Sequence, residues 1–132
     1  METRNFIFLT LLLFTLSSCK YHEGLGGKHF IQGKILVMEY DASYKYLRAK
    51  YYSPNENVFI IYGNNPTYGE KLESGFDGTY QFRYLQKGHY KVYAFSKDTT
   101  FTTSNGLVPV IKDIEIKSSD KTVIVPDLII IK

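Results

Sequence analysis

The stretch that most constrains the fold is residues 76–95, FDGTYQFRYLQKGHYKVYAF, in which apolar and polar side chains alternate. A period of two is typical of strands that bury one face. Asp77 and Gly78 form a turn signal before the first run, and Gly88 supplies a turn residue between the two runs. The stretch is therefore predicted to be a β-hairpin. Its apolar phase contains Tyr80, Phe82 and Tyr84, then Tyr90, Val92 and Ala94.

Similar segments recur along the chain, separated by turn residues about every ten positions. They lie at residues 29–39, 58–62, 70–74, at the two runs already described, and at 108–117 and 122–131. In the first segment, alternation favours burial of Ile31, Ile35 and Val37. In the last, Pro126 lacks a backbone donor and is expected at an edge, a bend or a bulge. The prediction is an all-β fold, a single antiparallel seven-stranded β-sandwich.

Residues 41–56 leave two alternatives open. The positions of Tyr40, Tyr44, Leu47 and Tyr51 fit one side of a helix, whereas alternation from Tyr44 fits an edge strand. Tyrosine presents a large amphipathic surface at low entropic cost. The candidate binding residues are Tyr44, Tyr46, Arg48, Tyr51 and Tyr52. The alternative is that these side chains cover an edge of the sandwich.

The N-terminus carries an apolar run over residues 6–16 that leads into Ser17, Ser18 and Cys19. A membrane-spanning helix needs about 20 apolar residues, so a run this short is typical of a signal peptide. Cys19 is the only cysteine among 132 residues, and an internal disulfide is therefore excluded. The length of the chain favours one domain.

Leu16-Ser17-Ser18-Cys19 resembles the lipobox of bacterial lipoprotein precursors. The resemblance implies cleavage after Ser18 and lipid attachment at Cys19, so that the membrane is one partner, through an N-terminal lipid anchor. We expect residues 1–18 to be the signal peptide, residues 19–28 a flexible tether that contains three glycines, and residues 29–132 the β-sandwich domain. The expected location is the bacterial outer membrane, in either leaflet.

A second resemblance covers most of residues 31–131. Asp77-Gly78-Thr79-Tyr80-Gln81-Phe82, Leu85 and residues 88–92 resemble a repeat of carboxypeptidase regulatory-like, prealbumin-like and Cna-B-type domains. This resemblance implies a prealbumin-like or Ig-like sandwich and carries no specific activity. Structural roles are predicted for Asp77, Gly78, Gly88 and Tyr90. The hydroxyl of Tyr90 is expected to bond backbone a few residues upstream, as in a tyrosine corner.

Candidate chemistry is sparse in the sequence. There is no nucleophile motif and no cluster of side chains at metal-ligand spacing, so catalytic residues, metals and cofactors are not predicted. The net charge of +3 is spread along the chain, which argues against nucleic acid. We expect a membrane-anchored lipoprotein acting as a non-catalytic binding or assembly module of the cell envelope, with envelope protein or polysaccharide as its partner. The alternatives are a structural subunit of a surface complex or filament, and a small envelope hydrolase.

Overall fold

Nine β-strands and no helix make up residues 22–132, the part of the chain that the computed structural model describes. The strands are β1 (Leu25–Tyr40), β2 (Leu47–Tyr52), β3 (Asn57–Tyr62), β4 (Glu70–Glu73), β5 (Thr79–Leu85), β6 (Gly88–Lys97), β7 (Leu107–Ile116), β8 (Thr122–Ile124) and β9 (Leu128–Ile131). The predicted all-β sandwich is confirmed. The number of strands was wrong, because β2 lies in the ambiguous stretch and the last predicted strand is divided in two.

The predicted signal peptide and the predicted lipidation site, Cys19, lie outside the described residues. Over residues 22–132 the chain contains no helix with the length and apolar composition that a membrane crossing requires.

The first sheet is built around the long strand β1. Antiparallel strands β5 and β2 follow each other along one edge, where Ile35 donates to the Gly78 carbonyl and accepts from the Ser53 N–H. Strands β8 and β9 follow each other along the other edge and run parallel to β1. The sandwich is therefore not purely antiparallel. Pro126 lies in the bend between β8 and β9, outside the paired residues. Because no hydrogen bond between strands needs a donor there, the missing N–H of proline is tolerated.

The second sheet has the order β4-β3-β6-β7, with antiparallel pairing throughout. Alternate side chains of both sheets point into one apolar core between them. Ile31, Ile35 and Val37 are fully buried there, which confirms the predicted core face of β1. The outward face of the second sheet is not covered by any other described element.

The predicted hairpin at residues 76–95 is wrong. Strand β5 pairs with β1 in the first sheet, whereas β6 pairs with β3 and β7 in the second, so the connection between them crosses from sheet to sheet. The alternation breaks at Tyr84, which has a φ of 57° and points outward, while Leu85 next to it is fully buried. Alternation identifies the face of a strand and leaves its partner open, which is why the sequence could not separate a hairpin from a crossover.

The crossing is closed by the hydroxyl of Tyr90, at the start of β6. It donates to the Gln86 carbonyl at 2.6 Å and accepts the Gly24 N–H at 3.0 Å. This is the geometry of a tyrosine corner, with an added bond to the N-terminal segment.

The boundary predicted between tether and domain is also corrected. Strand β1 begins at Leu25, and the residues just before it are bound to the crossover. The Gly24 carbonyl accepts the Gln86 N–H, and the Glu23 carboxylate accepts the His89 N–H at 3.4 Å. A Cβ on Gly27 would lie 1.9 Å from the Leu85 carbonyl oxygen. The glycines expected to give flexibility therefore permit close packing instead, and residues 23–28 belong to the domain.

Asp77 and Gly78 shape the turn that opens β5. The Asp77 carboxylate accepts the Thr79 N–H at 3.1 Å, and hydrogen bonds from Thr79 lower the pKa of Asp77. Gly78 has a φ of 78°, and a Cβ there would lie 2.9 Å from the Ile35 carbonyl oxygen. This turn brings β5 and β2 end to end along β1.

Candidate functional site

The tyrosine-rich stretch forms a turn and then an edge strand, and the helical alternative is not found. The Asp41 carboxylate accepts the N–H groups of Lys45 and Tyr46, both at 3.0 Å, which folds residues 41–46 into the turn. Strand β2 follows, paired with the end of β1, and five of its six residues are exposed.

The five predicted binding residues are not brought together on one surface. Tyr51 lies opposite Val37, on the side of the sheet that faces the core, whereas Tyr52 points to the other side, and Arg48 lies where the pairing of β2 with β1 shifts its register. Tyr52 donates to the Asp127 carboxylate at 2.9 Å and so lies against its own sheet. Tyr44 packs edge-on against Phe101, with ring centroids 6.4 Å apart, and Tyr46 is exposed. The stretch covers an edge of the sandwich with dispersed side chains.

The loop beside Tyr44 is organised by the buried carboxylate of Asp98. This carboxylate accepts both the N–H and the hydroxyl of Thr100, Thr102 and Thr103, at 2.7 to 3.2 Å. These bonds, with the Thr100 hydroxyl as the largest contribution, hold the pKa of Asp98 well below its usual range. The loop therefore depends on an ionised carboxylate.

Acid is expected to destabilise the protein partly through Asp98. Because the pKa of Asp98 is lower in the folded state, its contribution to stability is complete above about pH 4 and is lost as the pH falls toward the folded pKa. Asp98→Asn should lower Tm at neutral pH and flatten the dependence of Tm on pH below about pH 4. Calorimetry across this range measures both, with Asp113→Asn as an exposed control. An unchanged acid slope in the Asp98 variant would contradict the assignment.

An aromatic platform lies on the outward face of the second sheet, and the sequence analysis did not identify it. We define it as Phe59 of β3, Tyr93 and Phe95 of β6, and Tyr68 of the β3–β4 connection. The neighbours of Phe59 in β3 are fully buried, so its own side chain points away from the core. The same alternation in β6 turns Tyr93 and Phe95 outward.

Phe59 is the centre of this platform and contacts the other three rings. It stacks on Tyr93 at a centroid distance of 4.9 Å and an interplanar angle of 12°. Tyr68 and Phe95 approach Phe59 edge-on at 5.0 and 5.7 Å. Phe95 also meets Tyr93 edge-on at 5.6 Å, so the four rings form one connected cluster. These are favoured aromatic geometries and they hold the rings in fixed positions.

A row of side chains extends the platform across the whole sheet. Lys71 of β4 lies opposite Phe59, and Ile111 of β7 lies opposite Tyr93. Four adjacent strands at about 4.8 Å spacing give the row a length of about 14 Å. The Lys71 ammonium is 6.0 Å from the centroid of the Phe59 ring, within reach of a cation–π contact. The platform is therefore a long, shallow surface with an apolar centre and a charged end.

The polar atoms of the platform can form hydrogen bonds. Desolvation, with a further contribution from Tyr68, raises the pKa of Tyr93, so its hydroxyl stays protonated at neutral pH and can donate as well as accept. Within residues 22–132, no group of three histidine, cysteine or carboxylate side chains could hold a metal ion.

One sequence signal for the platform was present. Tyr93 and Phe95 occupy the phase of β6 in which a strand with one buried face normally has polar residues. Phe59 gave no such signal, because the β3 sequence NVFIIY is apolar in both phases. The contact between the strands depends on the register of β3 against β6, and the sequence does not state that register.

Fold and site together define a small β-sandwich with an exposed aromatic sheet face. No known family model matches the chain, and no curated protein is similar to it in sequence. Among solved structures, one similar chain is a crystal structure from Pseudomonas aeruginosa described as "a putative carbohydrate binding protein". It shares 15% identity at a TM-score of 0.49, over 78% of this chain and 90% of that chain. A likeness this distant carries no argument about function, so the site is interpreted from its own chemistry.

Proposed function

We propose that this protein is a lipid-anchored, non-catalytic module of the bacterial cell envelope that binds polysaccharide through the aromatic platform. The observation that carries the proposal is the cluster of four mutually packed, partly exposed rings centred on Phe59. Exposed apolar patches on small soluble domains mark interaction sites. A sugar ring has apolar C–H faces and a rim of hydroxyls, and the platform offers aromatic surface together with tyrosine hydroxyls and an ammonium group.

The size of the patch favours a glycan chain over a folded protein. Side chains of this kind have about 200 Å² each, and none of the four rings is more than half exposed, so the platform offers at most about 400 Å². A stable protein interface takes about 800 Å² from each partner. An elongated ligand a few sugar units long fits a shallow row of about 14 Å.

The anchor is the part of the proposal that concerns Cys19, and the lipobox resemblance supports it. A lipid on this residue would hold the sandwich at the membrane, with the outer membrane as the proposed location. Mass spectrometry of the N-terminal peptide tests the anchor separately from the platform. An unmodified Cys19 in the mature protein would remove it.

Replacement of Phe59 is expected to abolish most of the binding to polysaccharide. Phe59→Ala removes the ring that the other three contact, and central aromatic residues of binding sites typically contribute 2 kcal/mol or more, about 30-fold in affinity. Affinity electrophoresis of the mature protein against purified cell-wall and capsular polysaccharides measures the change. Circular dichroism confirms that the variant is folded.

Phe76→Ala is the matched control, because Phe76 is 99% exposed and belongs to a different surface. It should bind as the wild type does. Equal affinities of the wild type and Phe59→Ala for every retained polysaccharide would overturn the proposal. The proposal would also be overturned if the mature protein bound envelope protein and none of the polysaccharides.

A second function, assembly into a surface structure, is favoured by the edge of β2. Among the described strands β2 pairs only with β1, and it contains no proline. An edge without a partner strand is a site at which another chain can add a strand. Sedimentation of the detergent-solubilised protein would show self-association in that case, and a monomer at micromolar concentration would exclude this function.

A further inference from the structure

Four lysines that are distant in sequence gather at the end of the sandwich where the described chain begins. Lys28 lies in β1, Lys87 in the β5–β6 crossover, and Lys117 and Lys121 in the turn between β7 and β8. All four are exposed, and each lines at least one of three neighbouring pockets. We call this surface the lysine end.

One of these pockets has the donor groups that an anionic phosphate requires. It has a volume of about 330 Å³ and is lined by Lys28, Lys87, Ser118 and the backbone of Gly26 and Gly27. No carboxylate is found among the described residues that line it. Lysine ammonium groups and a serine hydroxyl are donors suited to phosphate oxygens. A second pocket, of about 310 Å³, shares Lys28 and Ser118 with it and adds both Lys121 and Asp120.

The acidic groups of this end are partly engaged with backbone. Glu23 accepts the His89 N–H, and Asp120 accepts the Lys117 N–H at 2.7 Å. Glu23 and Glu115 both line the third pocket, together with Lys87 and Lys117. Four lysines therefore face three carboxylates, and of the three pockets the one that contains Lys28 and Lys87 has no carboxylate among the described residues that line it.

The chain itself places this end near a lipid anchor. Glu23 is bound to the start of β6, and only four residue steps separate it from Cys19, at most about 14 Å when fully extended. The Debye length is about 10 Å at 0.1 M salt, so anionic headgroups act on these lysines once the segment is shorter than its full extension and the lysines come within that distance. The domain has no long tether that could carry the lysine end away.

We propose that the lysine end docks on anionic phospholipid headgroups, with a headgroup phosphate in the pocket of Lys28, Lys87 and Ser118. This inference rests on the proposed anchor at Cys19 and does not depend on what the aromatic platform binds. Strand β6 starts at this end with Gly88 and runs ten residues away from it, about 33 Å. Docking would therefore place Tyr93 and Phe95 away from the membrane surface, accessible to solvent.

Lysine acetylation of the lipidated protein in vesicles tests the docking. We compare phosphatidylcholine vesicles, the same vesicles with added inorganic phosphate, and vesicles that also contain phosphatidylglycerol. Lys28 and Lys121 should react several-fold more slowly only with phosphatidylglycerol present, while Lys50 of β2 reacts equally in all three. Salt near 1 M, where the Debye length is about 3 Å, should restore their reactivity. In the double variant Lys28→Glu/Lys121→Glu, vesicles that contain phosphatidylglycerol should no longer protect Lys117 from acetylation.

Each outcome decides between the proposals. Equal reactivity of Lys28 and Lys121 in all vesicles, with an acylated Cys19, would overturn the docking and leave the anchor intact. Protection by inorganic phosphate alone would show a soluble ligand and overturn the membrane assignment. A Cys19 peptide without acyl mass would overturn the anchor together with the docking. None of these results affects polysaccharide binding by the platform.

Discussion

Gly33→Ala is expected to lower the free energy of unfolding by about 1–3 kcal/mol, the usual cost of overpacking a core. Gly33 lies opposite Tyr80 in the pairing of β1 with β5, and the Tyr80 ring lies across it. A Cβ on Gly33 would be 2.3 Å from the Tyr80 hydroxyl oxygen and 2.6 Å from Cζ. Tyr80 is 2% exposed, so its ring has nowhere to move without disturbing the core.

An opposing effect is too small to reverse the sign. Alanine is better than glycine inside a strand by about 0.5–1 kcal/mol, because it loses less backbone entropy on folding. Urea denaturation monitored by circular dichroism gives the net change. Gly75→Ala is the control, since its Cβ would meet nothing closer than 3.5 Å, and it should stay within about 0.5 kcal/mol of the wild type. Equal stability of the two variants would contradict the account of Gly33.

The contact between Gly33 and Tyr80 shows which parts of the fold can be predicted from the sequence. Alternation in β1 correctly predicted that Ile31, Ile35 and Val37 face the core, because the period of two is a local property of the strand. Gly33 lies in the same phase, but the sequence around it does not indicate that a tyrosine from another strand occupies the space beside it. That information belongs to the register of β1 against β5.

The same limit explains why the aromatic platform was not predicted from the sequence. The tyrosines near residue 46 are neighbours in sequence, and β2 then sends them to opposite sides of its sheet. Phe59 and Tyr93 are 34 positions apart in sequence, yet their rings stack because β3 and β6 are paired. An aromatic cluster on a sheet is assembled across strands, so composition along the chain is a poor guide to it.

The crossover between β5 and β6 connects the two sheets and contacts the N-terminal segment. The Tyr90 hydroxyl bonds to both the crossover and that segment. Gly24 donates to the Tyr90 hydroxyl, and that hydroxyl donates to the Gln86 carbonyl. The segment from Glu23 onward is therefore held to the core by the same residue that closes the crossing. The small number of residues between Cys19 and the bound Glu23, on which the proposed docking depends, follows from this arrangement.

Tyr90→Phe is expected to lower the free energy of unfolding by about 1–3 kcal/mol, because it leaves the Gly24 N–H and the Gln86 carbonyl without their partner. Tyr80→Phe is the matched control: the Tyr80 hydroxyl is buried without a hydrogen-bond partner, so removing it should be neutral or stabilising. Urea denaturation measures the change, and an unchanged dependence of the unfolding free energy on urea concentration shows that stability alone has changed. Amide hydrogen exchange at residues 23–28 should become faster in the Tyr90 variant only. Equal unfolding midpoints for Tyr90→Phe and the wild type would remove the corner as the element that holds the N-terminal segment.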